Sequence, residues 1–291
     1  MKKIERPIME KIELLLTSKH RQRQFKADAS FVKDGIGKPV IIFNHGFKGF
    51  KDWGPFHLVA EKFAEAGFVF IKMNFSHNGT TLDYPYDFAD LEAFAQNNFS
   101  IELDDTGVLV DYLFSGDSAI PKEEIDLNKL FIVGHSRGGA HVILKANEDS
   151  RIKAVATWAA VNNLESWHSK EQIEQWKNAG RIFIHNSRTN QNMPMDFQLV
   201  ENFIQNQERL QVPDAVNNLH IPMLSVHGTD DPTVPVEAVK QIGLWNPKVD
   251  IKIIEGAGHT FGGTHPFEGN KLPGDLEKVV DLTVTFFQGI V

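Results

Sequence analysis

A serine in a glycine-rich turn is the residue best suited to chemistry in this sequence. Ser136 lies in the segment Gly-His-Ser-Arg-Gly at 134–138, directly after the apolar run Leu-Phe-Ile-Val at 130–133. A buried strand that leads into a G-x-S-x-G turn and then into a helix lifts the serine hydroxyl above the edge of a sheet. We therefore predict that Ser136 is a nucleophile at the start of a helix.

The sequence also offers a base and an acid for this nucleophile. A serine hydroxyl is weakly nucleophilic and needs a base that a third group orients. His259 and the pair Asp230-Asp231 each follow an apolar predicted strand, in the chain order serine, acid, histidine. We predict His259 as the base and Asp231, which directly precedes Pro232, as the acid, with Asp230 as the competing candidate.

Two backbone amides are candidates to stabilise a developing oxyanion. One belongs to Arg137, the residue after the nucleophile, and the other to Phe47, in the His-Gly-Phe segment after a predicted strand at 40–44. A tight exit from that strand is the alternative explanation for the His-Gly pair. The Arg137 side chain could contact an acidic or polar substrate group or form a salt bridge to a neighbouring helix, and we favour the salt bridge.

Buried strands and amphipathic helices alternate along most of the chain. This alternation predicts a mostly parallel sheet with helices on both faces. A polar turn separates the first two strands, which indicates an antiparallel hairpin at one edge. No linker or repeat divides the chain, so we predict a single domain over residues 1–291. The eight predicted strands span about 8–17, 22–32, 40–44, 68–73, 130–133, 154–158, 223–226 and 251–254.

The segment 161–219 departs from this alternation. It is rich in Asn, Gln and Trp, with a predicted strand at 181–185 and predicted helices near 169–179 and 197–207. Insertions in open α/β sheets often lie over the carboxyl ends of the strands, where ligands bind. We predict a small lid, with packing unrelated to substrate as the alternative.

Aromatic residues near the predicted strand ends could line an apolar acyl pocket. Ordinary core packing is the alternative for each of them. The candidates are Phe50, Trp53, Phe75, Trp158 and Trp167, together with Phe47.

Composition narrows the classes of partner and cofactor. The 291 residues include 30 basic and 38 acidic side chains, for a net charge of −8, so no affinity for nucleic acid or an anionic membrane is expected. The chain has no cysteine, which excludes disulfides, thiolate metal ligands and a cysteine nucleophile. The histidines lack the spacing of a zinc site, and no phosphate-binding loop is present, so we expect neither metal nor cofactor.

The same sequence lacks an apolar segment behind its basic N-terminus and any apolar run of roughly 20 residues. We therefore expect a cytoplasmic protein without signal peptide or membrane span. Its expected partner is a small-molecule ester substrate, and these features leave the oligomeric state open.

From about residue 38 onward, the chain resembles the α/β-hydrolase superfamily. The segments at 44–49, 134–139, 227–232 and 258–259 are similar to those of the feruloyl/cinnamoyl esterase, dienelactone hydrolase and acylaminoacyl-peptidase-like group. The resemblance implies the α/β-hydrolase fold and hydrolysis of an ester, or less often an amide, with no metal or organic cofactor. The dienelactone branch typically uses a cysteine nucleophile, and the absence of cysteine here argues against that activity in its strict form.

These features together predict a serine hydrolase that cleaves carboxylic esters through an acyl-enzyme. Three alternatives remain open. The same triad would serve a small-peptide or acylaminoacyl peptidase, and also a perhydrolase. An α/β-hydrolase without catalytic activity could instead bind a ligand or partner.

Overall fold

The computed structural model describes residues 8–165 and 168–291, and an eight-stranded sheet dominates them. The strand order is β1-β2-β4-β3-β5-β6-β9-β10, and a separate hairpin consists of β7 and β8. The strands are β1 (Ile8–Thr17), β2 (Gln24–Lys33), β3 (Lys38–Asn44), β4 (Val69–Met73), β5 (Ile125–His135), β6 (Ile152–Trp158), β7 (Arg181–Asn186), β8 (Gln191–Asp196), β9 (Met223–Gly228) and β10 (Asp250–Ile254).

In sheet order, the six strands β4, β3, β5, β6, β9 and β10 are parallel to one another. β2 pairs antiparallel with both β1 and β4. The prediction of a mostly parallel sheet with an N-terminal antiparallel hairpin is therefore confirmed. Every residue of β3 and β4 is buried, as expected for strands that helices cover on both faces.

Helices pack in two layers against this sheet. α1 contacts α9 in one layer, and α4 contacts α3 and α7 in the other, where α7 also contacts α8. The helices are α1 (Phe56–Glu65), α2 (Leu91–Ala95), α3 (Phe99–Phe114), α4 (Arg137–Glu148), α5 (Lys170–Ala179), α6 (Gln198–Gln205), α7 (Val212–Asn218), α8 (Glu237–Trp245) and α9 (Gly274–Gln288).

Trp158, at the end of β6, belongs to the core beneath the first of these layers. Its ring lies 5.6 Å from that of Phe43 and 6.4 Å from that of Phe63, and its indole N–H donates to Thr283 Oγ1 at 2.9 Å. The side chain is completely buried. This differs from the expectation that Trp158 lines an acyl pocket, because the side chain points towards α9, on the face of the sheet that α1 and α9 cover.

The segment 161–219 contributes α5, the β7–β8 hairpin, α6 and α7. Arg181 at the base of the hairpin pairs with Glu92 of α2 at 2.7 and 2.8 Å and with Asp196 at 2.6 Å. The indole N–H of Trp176 in α5 donates to the backbone oxygen of Met195 at 3.0 Å. The pair with Glu92 attaches the insertion to α2, and the other two contacts hold elements of the insertion together.

In the described parts of the chain, no helix has both the length and the apolar character needed to cross a lipid bilayer.

Candidate active site

Ser136 occupies a strained turn between β5 and α4. Its backbone has φ 57° and ψ −123°, a conformation that L-residues rarely adopt and that costs roughly 1–3 kcal/mol. Backbone hydrogen bonds hold the turn. The Ser136 amide donates to the carbonyl of Trp158 at 2.8 Å, and the Ser136 carbonyl accepts from the Gly139 amide at 2.9 Å. The burial of Trp158 in the core therefore fixes the backbone of the serine.

The glycines around Ser136 are required by close backbone approach. A Cβ at Gly134 would lie 2.2 Å from the carbonyl oxygen of Gly138. A Cβ at Gly138 would lie 2.4 Å from the carbonyl oxygen of Asn44, at the end of β3. Real Cβ atoms do not approach backbone so closely, so any larger residue would displace β3, β5 or α4. The G-x-S-x-G pattern thus reports tight packing of these three elements.

The structure brings Ser136, His259 and Asp231 into one hydrogen-bonded chain. His259 Nε2 lies 3.0 Å from Ser136 Oγ, and His259 Nδ1 lies 2.8 Å from Asp231 Oδ2. An ionised carboxylate can only accept, so Nδ1 carries the proton and Nε2 is free to accept from the serine hydroxyl. The loops after β5, β9 and β10 supply the three residues, at the carboxyl ends of parallel strands in one sheet, where only β6 separates β5 from β9.

Asp231 sits in surroundings that keep its carboxylate ionised. Burial alone would raise the pKa of Asp231, but hydrogen bonds from His227, His259 and the Val234 amide lower the pKa far below its usual value. Its Oδ1 accepts from the amides of Thr233 and Val234, both at 2.8 Å.

The competing carboxylate, Asp230, is exposed and accepts from the neighbouring Thr229 hydroxyl at 3.0 Å. Asp231 is thus the carboxylate that contacts the His259 imidazole.

His135, which precedes the serine, contacts the candidate base in a way that the sequence did not indicate. Its Nε2 lies 2.8 Å from the backbone oxygen of His259, and the two imidazole rings lie 4.9 Å apart. Burial, together with the nearby His259, lowers the pKa of His135 to about 3. The neutral ring therefore donates its Nε2 proton to the carbonyl. The only sequence signal was a histidine at the second position of the G-x-S-x-G motif.

The loop after β3 lies directly against Ser136, the predicted nucleophile. A Cβ at Gly46 would be 2.8 Å from Ser136 Cβ and 3.3 Å from Ser136 Oγ. The loop turns back at once, because the Gly49 amide donates to the Gly46 carbonyl at 3.1 Å. Phe47, the predicted oxyanion donor, is in this turn. The second predicted donor, the amide of Arg137, belongs to the first residue of α4 and has no acceptor within the helix.

Two buried side chains support that loop from behind. His45 Nδ1 donates to the Gly46 carbonyl at 2.9 Å, and its Nε2 accepts from Asn78 Nδ2 at 3.2 Å. Burial lowers the pKa of His45 to about 4, so the ring is neutral, as this arrangement requires. Asn78 Nδ2 also donates to the Gly49 carbonyl at 3.3 Å. Asn78 comes from the loop after β4, whose role the sequence left undefined.

The Arg137 side chain turns away from Ser136 and into α3. Its Nη2 donates to Glu102 Oε1 at 2.5 Å, and its guanidinium carbon lies 4.5 Å from the centre of the Phe47 ring. Burial alone would raise the pKa of Glu102, but the charge of Arg137 together with the charge and hydrogen bond of His141 outweighs burial, and the pKa falls to about 2. The structure thus shows the salt bridge to a neighbouring helix that we favoured.

A cleft of about 380 Å³ opens beside Ser136 and His259. The turn of the β7–β8 hairpin forms one wall of it through Asn186, Ser187 and Arg188. The predicted insertion therefore contributes directly to the cleft. The remaining walls come from the loop after β3, from the start of α1 and from the loops after β5, β9 and β10.

The predicted pocket aromatics separate into two groups. Phe47 and Trp53 line the cleft. Phe50 is buried against Phe88 and His265, and Phe75 is buried behind the loop, 4.7 Å from the ring of His45. These two residues pack beneath the loop that carries Phe47 instead of lining the cleft.

The structure places Trp158 in the core, as described above, and Trp167 lies outside the described residues. Within 8–165 and 168–291, no group of three or more His, Cys, Asp or Glu side chains is arranged to hold a metal ion.

Comparison with solved structures shows the same fold in hydrolases. The esterase domain of a Rhodothermus marinus protein is 17% identical and superposes with a TM-score of 0.63, over 95% of this chain and 97% of that one. Est1E from Butyrivibrio proteoclasticus is 18% identical, with a TM-score of 0.65, over 94% of this chain and 98% of that one. A puromycin-hydrolyzing peptidase from Mycobacterium tuberculosis is 17% identical, with a TM-score of 0.62, over 98% of this chain but 39% of that one.

No curated protein matches this chain in sequence. A family model does match, over residues 56–268, a range that contains Ser136, Asp231 and His259. That range covers well over half of the chain. The chain therefore belongs to the prolyl oligopeptidase family and is a serine hydrolase with the α/β-hydrolase fold.

Proposed function

We propose that this hydrolase cleaves carboxylic esters through an acyl-enzyme on Ser136. The observation that carries the proposal is the unbroken chain of hydrogen bonds from Ser136 Oγ through His259 to Asp231, at 3.0 and 2.8 Å. The serine opens onto a cleft large enough for a small molecule. A small-molecule ester is the partner that this cleft would take.

In the proposed mechanism, Ser136 Oγ attacks the acyl carbon while His259 Nε2 takes its proton. Asp231 holds the imidazole in the required tautomer and stabilises the imidazolium that forms. The amides of Phe47 and Arg137 stabilise the oxyanion of the tetrahedral intermediate. His259 then protonates the leaving alcohol, and water, activated by the same histidine, attacks the acyl-enzyme to release the acid and restore Ser136.

Labelling and turnover together test this proposal. A fluorophosphonate probe should label the wild-type protein, and Ser136→Ala should abolish both labelling and hydrolysis of 4-nitrophenyl butyrate. Ser115→Ala, at the end of α3, is a matched control that should keep both. Full labelling of the Ser136→Ala variant would contradict the assignment of Ser136 as the nucleophile. An unlabelled wild-type protein would favour the alternative of a ligand-binding protein without catalytic activity.

Amide hydrolysis is the second candidate, because the family is named for an oligopeptidase and one similar structure is a peptidase. The same triad would attack an amide carbon. We place the ester first because both esterase structures match over nearly their whole length, whereas the peptidase extends far beyond the match. Aminoacyl 4-nitroanilides tested beside matched 4-nitrophenyl esters decide between them. A higher kcat/KM for the anilides would make amide hydrolysis the first candidate and ester hydrolysis the second.

A further inference from the structure

The charged side chains that line the cleft are all cations. Among the described lining residues, Lys48 and Arg188 are charged and none is Asp or Glu. The chain as a whole has an excess of acid, with 38 acidic against 30 basic residues. A cleft with only positive charge beside Ser136 is therefore unexpected from composition and calls for a physical reason.

Within residues 8–165 and 168–291, neither cation has an acidic partner. Arg188 Nη2 donates a hydrogen bond to the Lys48 carbonyl at 2.8 Å. That bond uses one of the five N–H donors of a guanidinium. Burial, and then the charge of Arg188, lower the pKa of Lys48, whereas no carboxylate raises it. The two like charges thus repel each other across the cleft.

This pair differs from the other arginine of the same hairpin. Arg181 lies at the base of β7, where it pairs with both Glu92 and Asp196. Arg188 lies at the turn, with its guanidinium 5.3 Å from the centre of the Trp53 ring. A guanidinium beside an aromatic ring that keeps unused N–H donors can bind a planar anion through two parallel hydrogen bonds.

A buried neutral donor lies next to the cations. Asn186 also lines the cleft, it is 1% exposed, and its Nδ2 has no hydrogen-bond partner among the described residues. An unpartnered buried N–H group costs free energy that a ligand acceptor can recover. Asn186 and Arg188 from the hairpin, and Lys48 from the loop after β3, thus line one cleft with three side chains that carry N–H donors.

We propose that the preferred substrate is an ester that carries a second, ionised carboxyl group, bound by Arg188 and Lys48. The proposal rests on the ester hydrolysis proposed above. A carboxylate matches the planar fork of a guanidinium through two parallel hydrogen bonds, and it would relieve the repulsion between the two cations. The carboxylate could belong to the acyl group or to the leaving alcohol, and the test separates these sources.

Two pairs of chromogenic esters test the proposal. Mono-4-nitrophenyl adipate against methyl 4-nitrophenyl adipate places the carboxylate on the acyl side. The pair 3-carboxy-4-nitrophenyl butyrate and 4-nitrophenyl butyrate places it on the leaving group. In at least one pair, kcat/KM of the anionic ester should exceed that of the neutral ester about tenfold, mainly through a lower KM. This preference should decrease at high salt, because the cleft is open to ions.

Substitutions test whether the preference for the anionic ester comes from Arg188 in the cleft. Arg188→Gln should reduce the anionic-to-neutral ratio to about one, and Arg188→Lys should leave an intermediate ratio because the charge remains but the fork is lost. Lys177→Gln, which removes an exposed charge on α5 outside the cleft, should keep the wild-type ratio. Thermal unfolding of each variant checks that the hairpin substitution has not unfolded the protein.

The outcomes separate this proposal from the one on which it rests. Ser136-dependent turnover of the neutral esters, with no preference for either anionic ester, would overturn the carboxylate site and leave ester hydrolysis standing. A preference that survives Arg188→Gln would also overturn it. If no ester is hydrolysed and Ser136 does not react with a fluorophosphonate, ester hydrolysis fails and the carboxylate site fails with it.

Discussion

The imidazole of His135 donates a hydrogen bond to the backbone carbonyl of His259, 2.8 Å away, and so connects the turn of Ser136 to the loop of His259. The two residues are far apart in sequence: His135 is the last residue of β5, and His259 lies in the loop after β10. The bond constrains the backbone of His259, whereas Asp231 constrains its imidazole. His135 is therefore a positioning residue.

His135→Phe should reduce kcat about tenfold and change KM little, because the ring is retained but the donor to the His259 carbonyl is lost. His135→Gln keeps an N–H donor and should recover part of the activity. Steady-state kinetics with 4-nitrophenyl butyrate measure both. If the two variants lose activity equally while their melting temperatures stay at the wild-type value, the hydrogen bond is not the cause.

The two adjacent aspartates should differ sharply in effect. Asp231→Asn should lower kcat by about three to four orders of magnitude, because an amide at this position favours the wrong imidazole tautomer. Asp230→Asn, a matched change at an exposed neighbour, should stay within about threefold of wild type. Equal losses in the two variants would contradict the contact between Asp231 and His259 as the decisive one.

Asn78 should act on catalysis through the loop that carries Phe47. Asn78→Ala removes the donor to His45 Nε2 and to the Gly49 carbonyl, so the loop loses its support and kcat should fall about tenfold. Asn217→Ala, at an exposed position of α7, provides the control for a general effect of losing an amide. An unchanged kcat with a lowered melting temperature would show that Asn78 serves stability alone.

Stability should fall as the pH decreases from about 6.5 towards 5. His45, His77 and His135 are held neutral in the folded state, where burial lowers their pKa values to about 4, 4 and 3. The unfolded chain takes up protons on these rings near pH 6.5, so each ring lowers the free energy of unfolding by about 1.4 kcal/mol per pH unit below that value.

Asp105 opposes this trend, since burial raises its folded pKa to about 6 and the folded state keeps its proton. Urea unfolding at pH 6.5, 6.0, 5.5 and 5.0 measures the net effect. His77→Gln should reduce the slope of the free energy of unfolding against pH by about 1.4 kcal/mol per pH unit. His220→Gln, at an exposed position, is the control for the loss of a histidine. A free energy of unfolding that stays constant over this range would contradict the prediction.

The sequence predicted the core of the fold well because its strands are buried on both faces. Continuous apolar runs such as those of β3 and β4 give a strong signal, and each run ends at a segment of polar and glycine residues. The carboxyl ends of parallel strands share one edge of the sheet. The approximate meeting of Ser136, Asp231 and His259 could therefore be predicted before any coordinates were known.

Other features depend on contacts that sequence patterns do not report. β8, with the sequence Gln-Asn-Met-Pro-Met-Asp, lacks a strand-like alternation and forms because β7 pairs with it. α2 has only five residues, too few for a periodic pattern. Trp158 was placed near the pocket because it ends a strand, but which face of the sheet a side chain takes depends on the strand's register, and here it faces α9.

In the proposed carboxylate site, the β7–β8 hairpin supplies Arg188, which would bind the substrate without taking part in the reaction. Its base is attached through Arg181 to Glu92, and its turn alone reaches the cleft. The reacting groups all come from other loops. Replacing a few residues around Arg188 could thus retarget the enzyme towards different compounds while the machinery around Ser136 stays intact, which makes this short turn the natural place to engineer new selectivity.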